Sequence, residues 1–100
     1  MPQTNQIIIA EITDFIARWG GRYSEWYAGI ASIPRQRLFN DHNVNEQTDG
    51  WIYREAFDSN SARAVEDYLI STLRMTGDTG GGDYSTKFVY AYKKSSQTIE

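Results

Sequence analysis

The residue whose type and spacing most strongly suggest chemistry is Glu66. A helix advances about 100° per residue, so a helix through this region places Ala62, Leu69 and Leu73 on one apolar stripe, and Glu66 falls within it. Asp67, one position later, turns away from the stripe toward solvent. An isolated buried charge is very costly. The Glu66 carboxylate must therefore pair with a cationic side chain, bind a metal ion or carry a proton.

Three arginines are candidate partners of Glu66. An ion pair with Arg35, Arg37 or Arg54 is the more ordinary explanation for a carboxylate on an apolar helix face. Arg37 also lies four residues before Asp41, which favours a local surface salt bridge. The functional alternative is that an arginine of this segment binds a phosphate, because the planar guanidinium offers several hydrogen-bond donors to it.

The only histidine and the seven tyrosines are further candidates. His42 follows a short predicted helix, where a histidine usually caps the helix or lies at the surface, although it can also transfer protons. Tyr27, Tyr53 and Tyr90 lie on predicted strands, and alternate strand positions could bring their hydroxyls to one site. The glycine-rich segment 76–83 lacks the lysine and the following helix of a phosphate-binding P-loop, so a surface loop is predicted there.

Three helices and three strands are predicted to position these groups. Hydrophobic spacing and capping residues predict helices at about 5–19, 34–43 and 61–74. The candidate caps are Thr4 or Asn5 for the first helix, Ser32 for the second, and the run 58–60, which begins with Asp58, for the third. Aromatic and β-branched residues predict strands at 26–30, 51–55 and 87–92. The order α-β-α-β-α-β indicates a small three-layer-like α/β (α+β) domain, with helices packed on a short, mostly antiparallel central sheet.

Length and composition limit the organisation of the chain. With 100 residues, 40% of them apolar, we expect a single domain over residues 1–100, with loose tails at about 1–3 and 95–100. The absence of cysteine excludes disulfides and thiolate chemistry. A net charge of -3 argues against indiscriminate binding to nucleic acid. Because no targeting signal or bilayer-spanning apolar run is evident, we expect a cytoplasmic protein without a membrane partner.

Several of these candidates occur in an order found in a known family. The run from Trp26 to Ile30, Arg37 on a helix, His42, a strand, and the run from Ala64 to Ile70 that contains Glu66 follow one another. This order resembles the second motif and the downstream helices of the GIY-YIG nuclease superfamily. The resemblance covers about half of the chain and implies a nuclease-like fold.

The resemblance also implies roles for individual residues. In that family a glutamate holds one divalent metal ion, a helical arginine steadies the scissile phosphate, and a tyrosine or histidine helps to activate water. By resemblance, Glu66 would bind Mg²⁺ or Mn²⁺, Arg37 would contact the phosphate, and Tyr27 or His42 would assist the water. The residues assigned to substrate contacts are Gly29, Arg35, Tyr23 and Tyr90.

One part of the family pattern is missing from the chain. A first strand with a Gly-Ile-Tyr-like motif is expected before Tyr27, where this chain has the end of a helix and Gly20-Gly21. Either Tyr23 substitutes for that motif, or the C-terminal strand through Tyr90 and Tyr92 fills the vacant place in the sheet. The family's usual asparagine after the third helix is also not evident.

Two functions of different kinds follow from these observations. The first is a metal-dependent, endonuclease-like domain that cleaves phosphodiester bonds of nucleic acid. The alternative is a non-catalytic GIY-YIG-like binding protein that holds a nucleotide, a cyclic nucleotide signal or a protein partner, as the acidic net charge and the missing motif favour. A third interpretation is a structural domain that forms a homo-oligomer through exposed aromatic residues.

Overall fold

In a computed structural model the chain folds into helices and one three-stranded sheet. The structure describes residues 1–78 and 82–100. In chain order the elements are α1 (Asn5–Trp19), β1 (Trp26–Ala31), α2 (Pro34–Gln36), β2 (Trp51–Glu55), α3 (Ser59–Asp67) and β3 (Phe88–Lys93). The predicted α+β class and the predicted order of elements are confirmed. Of the predicted loop at 76–83, residues 79–81 lie outside the described part.

The two helices nearest the candidate residues end in wider turns. After α2 the backbone continues as a π-helical turn over Arg37–Asp41, and after α3 as another over Tyr68–Thr72. In the first of these turns the N–H of His42 donates to the carbonyl of Arg37 at 2.9 Å. Wide turns of this kind often occur at functional sites.

Side-chain caps explain where the two longer helices begin. Thr4 caps α1 and Asp58 caps α3, each by accepting a hydrogen bond from a backbone N–H of the first turn, as Ser, Thr and Asp commonly do. The predicted cap by Ser32 is wrong, because α2 has no side-chain cap. The Ser32 hydroxyl instead lies 3.3 Å from that of Thr86, and this contact ties the start of α2 to the loop before β3.

The last strand in sequence is the central strand of the sheet. The strand order is β1-β3-β2, and β3 is antiparallel to both neighbours, with Tyr90 opposite Gly29 on one side and Tyr53 on the other. Of the two predicted replacements for the missing first strand, the C-terminal strand is therefore the one that lies beside β1. Tyr23 forms part of a short 3₁₀ turn before β1 and packs against the core.

Alternation along the strands gives the sheet two different faces. One face, here called the apolar face, buries residues such as Trp26 and Val89 against Ile12 of α1 and Val65 of α3. The other, here called the tyrosine face, carries a cluster of tyrosines that packs with Leu38 of the α2 segment. The helices therefore lie on both sides of the sheet, as the three-layer prediction requires.

Both predicted tails are attached to the rest of the domain. Gln3 pairs with Ala56 next to β2, and the N–H of Ile99 donates to the carbonyl of His42 at 2.8 Å. These contacts correct the prediction that residues 1–3 and 95–100 are loose. Within the described ranges, none of the helices combines the length and the apolar character needed to traverse a bilayer.

Candidate active site

A pocket of about 460 Å³ lies beside β1, a volume typical of small-ligand sites. The lining residues belong to β1 and β3, to the α2 and α3 segments, and to the loop before β3. The sequence-predicted residues that line it are Tyr27, Gly29, Arg37, Glu66 and Tyr90. Of the residues in the order that resembles the nuclease motif, Tyr27, Gly29, Arg37 and Glu66 therefore line one pocket, whereas His42 does not.

Glu66 is buried on α3, as its spacing predicted, with only 2% of its surface exposed. Its Oε1 has no hydrogen-bond partner in the described part of the chain. The predicted arginine partners each contact a different carboxylate: Arg35 pairs with Glu46, Arg37 with Asp41, and Arg54 with Glu11. The ion-pair interpretation of Glu66 is therefore wrong, and its carboxyl group requires a proton or a bound cation.

The surroundings of Glu66 make its protonation state easy to change. Burial raises the pKa of Glu66 from 4.5 to about 7, which outweighs the lowering effect of Arg63. The negative charges of Asp67 and Asp78 raise the pKa further. Near neutral pH the carboxyl group is therefore divided between its acid and its carboxylate forms, and a nearby cation would favour the carboxylate.

His42 is a buried residue behind the pocket, with 4% of its surface exposed, so the ordinary surface role suggested by the sequence is wrong. Its Nε2 atom lies 2.7 Å from the hydroxyl oxygen of Tyr90, whose ring belongs to the central strand. Burial is the main cause that lowers the pKa of His42, and Arg37 acts in the same direction. The ring is therefore neutral at pH 7 and able to accept a proton.

Tyr90, which the sequence assigned to substrate contact, is the pocket tyrosine bonded to the histidine. Burial raises the pKa of Tyr90 to about 12, against the opposing effect of Arg37. Tyr27, assigned to catalysis, also lines the pocket and packs on the imidazole of His42, with ring centroids 4.8 Å apart. Tyr90 and Tyr92 are two residues apart on β3, so their side chains lie on the same face of the sheet, and this spacing is visible in the sequence.

Gly29 allows Tyr90 to take its position. A Cβ atom added at Gly29 would lie 2.5 Å from both Cζ and the hydroxyl oxygen of Tyr90, well inside van der Waals contact. Tyr90 is only 1% exposed and cannot move away freely. Glycine is therefore needed here for close approach of a side chain to the backbone, and not for an unusual φ angle.

Arg37 presents its guanidinium at the edge of the pocket. Its side chain is 48% exposed, and Nε lies 3.6 Å from Oδ2 of Asp41, which confirms the predicted local salt bridge. The neighbouring Tyr90 hydroxyl raises the pKa of Arg37, so the guanidinium is fully charged. An exposed pair of this kind is weak, which leaves Arg37 able to bind an anion in the pocket.

Two predicted substrate residues lie outside the pocket. The guanidinium of Arg35 stacks over the rings of Phe39 and Trp51, at 5.0 and 5.7 Å, and bonds to Glu46. Tyr23 packs against the apolar face. Conversely, Asp78 lines the pocket although the sequence assigned it no positive role.

The carboxylate oxygens of the pocket fit a hard divalent cation that has few protein ligands. In the described ranges there is no cluster of three or more His, Asp or Glu side chains arranged around a common metal position. Glu66 offers a buried, unpartnered oxygen, and Asp78 faces the same pocket. One or two carboxylates, with water and substrate oxygens completing the shell, match the preference of Mg²⁺.

Comparisons with models of known families, with curated proteins and with solved structures find no match to this chain. The resemblance to the GIY-YIG nucleases therefore rests on the motifs in the sequence alone. The function is inferred from the geometry of the pocket.

Proposed function

We propose that this domain is a metal-dependent, endonuclease-like phosphodiesterase that acts on nucleic acid. In this proposal Glu66 holds Mg²⁺ or Mn²⁺, Arg37 binds the phosphate, and Tyr90 with His42 removes a proton from the attacking water. The observation that carries it is the Glu66 side chain, which is buried in the same pocket as Arg37 and Tyr90 and whose Oε1 has no hydrogen-bond partner among the described residues. Coordination of a cation offsets the cost of burying that charge.

Arg37 is suited to bind and orient a phosphodiester. Its guanidinium carries a fixed charge, and the carboxylate that pairs with it, that of Asp41, is exposed and lies 3.6 Å away. Two parallel hydrogen bonds from a guanidinium to non-bridging phosphate oxygens fix both distance and orientation. The same bonds stabilise the charge that accumulates on those oxygens in the transition state. Arg37 therefore combines substrate binding with transition-state stabilisation.

Tyr90 and His42 provide a route for the proton of the attacking water. As the water oxygen forms its bond to phosphorus, its O–H bond breaks and the Tyr90 oxygen accepts the proton while the Tyr90 proton moves to His42. The bond from phosphorus to the leaving oxygen then breaks, its electron pair stays on that oxygen, and the oxygen takes a proton from solvent while His42 loses its extra proton. A bound divalent cation would supply Lewis-acid stabilisation of the phosphate charge. Burial lowers the pKa of His42, so its imidazole is neutral at pH 7 and its Nε2 has a lone pair for this proton.

A cleavage assay with matched variants tests the proposal. Wild-type protein, Glu66→Gln and Asp67→Asn would be compared on single- and double-stranded DNA and RNA with Mg²⁺ or Mn²⁺. Glu66→Gln is expected to reduce cleavage at least about a hundredfold, because a bound metal ion lowers the activation free energy by several kcal/mol. Asp67→Asn, an exposed neighbour on the same helix, should retain activity. Absence of cleavage by the wild type on every substrate would contradict the proposal.

The second candidate function is a non-catalytic site for a nucleotide or a cyclic nucleotide. The pocket of about 460 Å³ is of small-ligand size, and the net charge of -3 disfavours long polyanions more than small ones. Thermal shift separates the two candidates. Stabilisation by nucleotides but not by metal favours the binding protein. Stabilisation by metal alone, lost in Glu66→Gln, favours the metal-dependent enzyme.

A further inference from the structure

The C-terminal segment, residues 95–100, lies against the side of His42 that faces away from Tyr90. Nδ1 of His42 is 2.7 Å from the carbonyl oxygen of Ile99, and the N–H of Ile99 donates to the carbonyl of His42 at 2.8 Å. Asn43 Nδ2 also donates to the carbonyl of Gln97 at 3.0 Å. Three hydrogen bonds therefore hold this segment to the two residues that follow the π-helical turn.

The contact with Ile99 determines which ring nitrogen carries the proton. A main-chain carbonyl can only accept a hydrogen bond, so a nitrogen 2.7 Å from it must be protonated. In a neutral imidazole the other nitrogen, Nε2, is then an acceptor. The Tyr90 hydroxyl, 2.7 Å from Nε2, must consequently be the donor.

The neighbouring hydroxyl of Tyr92 agrees with this assignment. Its oxygen lies 3.1 Å from Nδ1 of His42 and 3.4 Å from the carbonyl oxygen of Ile99. The Tyr92 O–H can donate to the carbonyl while its oxygen accepts a share of the Nδ1–H bond. An unprotonated Nδ1 would instead face the carbonyl lone pairs at 2.7 Å, which is repulsive.

We propose that the main-chain carbonyl of Ile99 is the positioning group of the site, which fixes the Nδ1–H tautomer of His42 and thereby directs the Tyr90 proton toward Nε2. The catalytic consequence rests on the proposed function, whereas the tautomer itself does not. The arrangement is Ile99 carbonyl, His42 imidazole and Tyr90 hydroxyl in series. It follows the logic of triads in which a third group orients a histidine, with a neutral carbonyl in place of a carboxylate.

The tautomer of His42 matters because the Nε2–H tautomer would prevent transfer of the Tyr90 proton to His42. With the proton on Nε2, His42 would donate to Tyr90 and could not accept the Tyr90 proton. The Tyr90 oxygen would then have no route for passing on a proton taken from water. The side chain of Ile99 is 59% exposed, so the contribution of this residue comes from its backbone.

Nuclear magnetic resonance of protein labelled with ¹⁵N-histidine tests the tautomer directly, because His42 is the only histidine in the chain. At pH 8 the wild type should show a protonated Nδ1 and an unprotonated Nε2. Ile99→Pro removes the N–H that donates to His42 and should produce a mixture of tautomers. Ile99→Ala keeps both backbone bonds and should leave the spectrum unchanged.

A milder variant keeps the test decisive if Ile99→Pro does not fold. Asn43→Asp removes the donor to Gln97, and Asp tolerates the positive φ of 57° at this position. It should shift the tautomer signals in the same direction by a smaller amount. An Nε2–H tautomer in the wild type overturns the proposal, and so does an Nδ1–H signal that is unchanged in every folded variant that lacks one of these bonds.

Activity provides the second readout. Cleavage by Ile99→Pro should fall about tenfold or more in kcat with little change in KM, since general-base assistance is worth hundreds-fold or more when intact. Unchanged kcat in a variant whose tautomer is mixed would overturn the catalytic part. If the wild type cleaves nothing but the tautomer responds as expected, the proposed function fails while the positioning role of Ile99 stands.

Discussion

The apolar face and the tyrosine face of the sheet are built from the same three strands but differ in the kind of interaction that they make. On the apolar face, aliphatic residues and Trp26 pack against two helices, and the buried indole N–H of Trp26 donates to the carbonyl of Gly20 at 3.2 Å. On the tyrosine face the buried rings of Tyr90 and Tyr92 carry hydroxyls, and both hydroxyls bond to His42. The pocket opens beside this second face, and Glu66 reaches it from α3.

The apolar face contributes mainly to the stability of the fold, and the tyrosine face contributes mainly to the chemistry of the pocket. Apolar burial is non-directional and tolerates small displacements, whereas a hydrogen-bonded network requires every partner in place. We therefore expect substitutions on the apolar face to change mainly the free energy of unfolding. Substitutions around the tyrosine face should change protonation and ligand binding at a smaller cost in stability. Four measurements test this expectation.

The largest stability effect is expected on the apolar face. Ile12 is fully buried on α1, and Ile12→Ala should lower the free energy of unfolding by about 4 kcal/mol through lost burial and a residual cavity. Ile7→Ala, on the same helix but 46% exposed, is the matched control and should cost far less. Equal losses for the two variants in urea unfolding would show that the apolar face does not dominate stability.

The next effect is a dependence of stability on pH that comes from Glu66. Its pKa is raised from 4.5 to about 7 on folding, so the folded state binds the proton more tightly and stability falls as pH rises through this range. In metal-free buffer the total loss should be about 3 kcal/mol, at 1.36 kcal/mol per pKa unit.

Glu66→Gln provides the control for the pH experiment. It should lack this contribution, and its stability relative to wild type should grow from pH 4 to pH 8. Adding Mg²⁺ to the wild type at pH 8 should recover part of the loss, because the cation replaces the proton on the carboxylate. A difference between wild type and Glu66→Gln that does not vary with pH would contradict the burial of an ionisable, unpaired Glu66.

Gly29→Ala should have an intermediate effect that is specific to the tyrosine face. The new methyl group would meet Tyr90 at 2.5 Å, so we expect about 2 kcal/mol of destabilisation and loss of the Tyr90 to His42 bond. Gly50→Ala is a matched control, because its methyl group would meet the half-exposed ring of Trp19, which can move. An unchanged Nε2 resonance of His42 in Gly29→Ala would contradict this role of Gly29.

The smallest effect is expected from removal of one hydroxyl. Tyr92→Phe deletes the contacts with Nδ1 of His42 and the carbonyl of Ile99 and keeps the ring, so it should cost about 1 kcal/mol. Tyr84→Phe, at a side chain that is 89% exposed, should cost nothing measurable. A loss for Tyr92→Phe as small as that for Tyr84→Phe would mean that the network contributes little to folding.

Much of the fold could be predicted because its signals are local. The stripe of α1, a cap at its start and the alternation of β3 each depend on residues within one element, and each is found in the structure. Of the caps that the sequence offered, the structure uses Thr4 for α1 and Asp58 for α3. The predicted cap by Ser32 failed because its hydroxyl turned to Thr86, far along the chain. The loose C-terminal tail was a wrong prediction for the same reason, since its partners lie near His42.

The candidate site also has features that local sequence signals predict and features that depend on long-range contacts. Periodicity alone identified Glu66 as a buried carboxylate on an apolar helix face, and motif order grouped it with Tyr27, Gly29 and Arg37. Three facts required the packing of distant elements: the predicted arginine partners of Glu66 pair with other carboxylates, Tyr90 bonds to Nε2 of His42, and Ile99 contacts the far side of that ring. Helical and strand periods fix which way a side chain points relative to its own element. Which group it meets depends on how distant elements pack, and that information is spread over the whole chain.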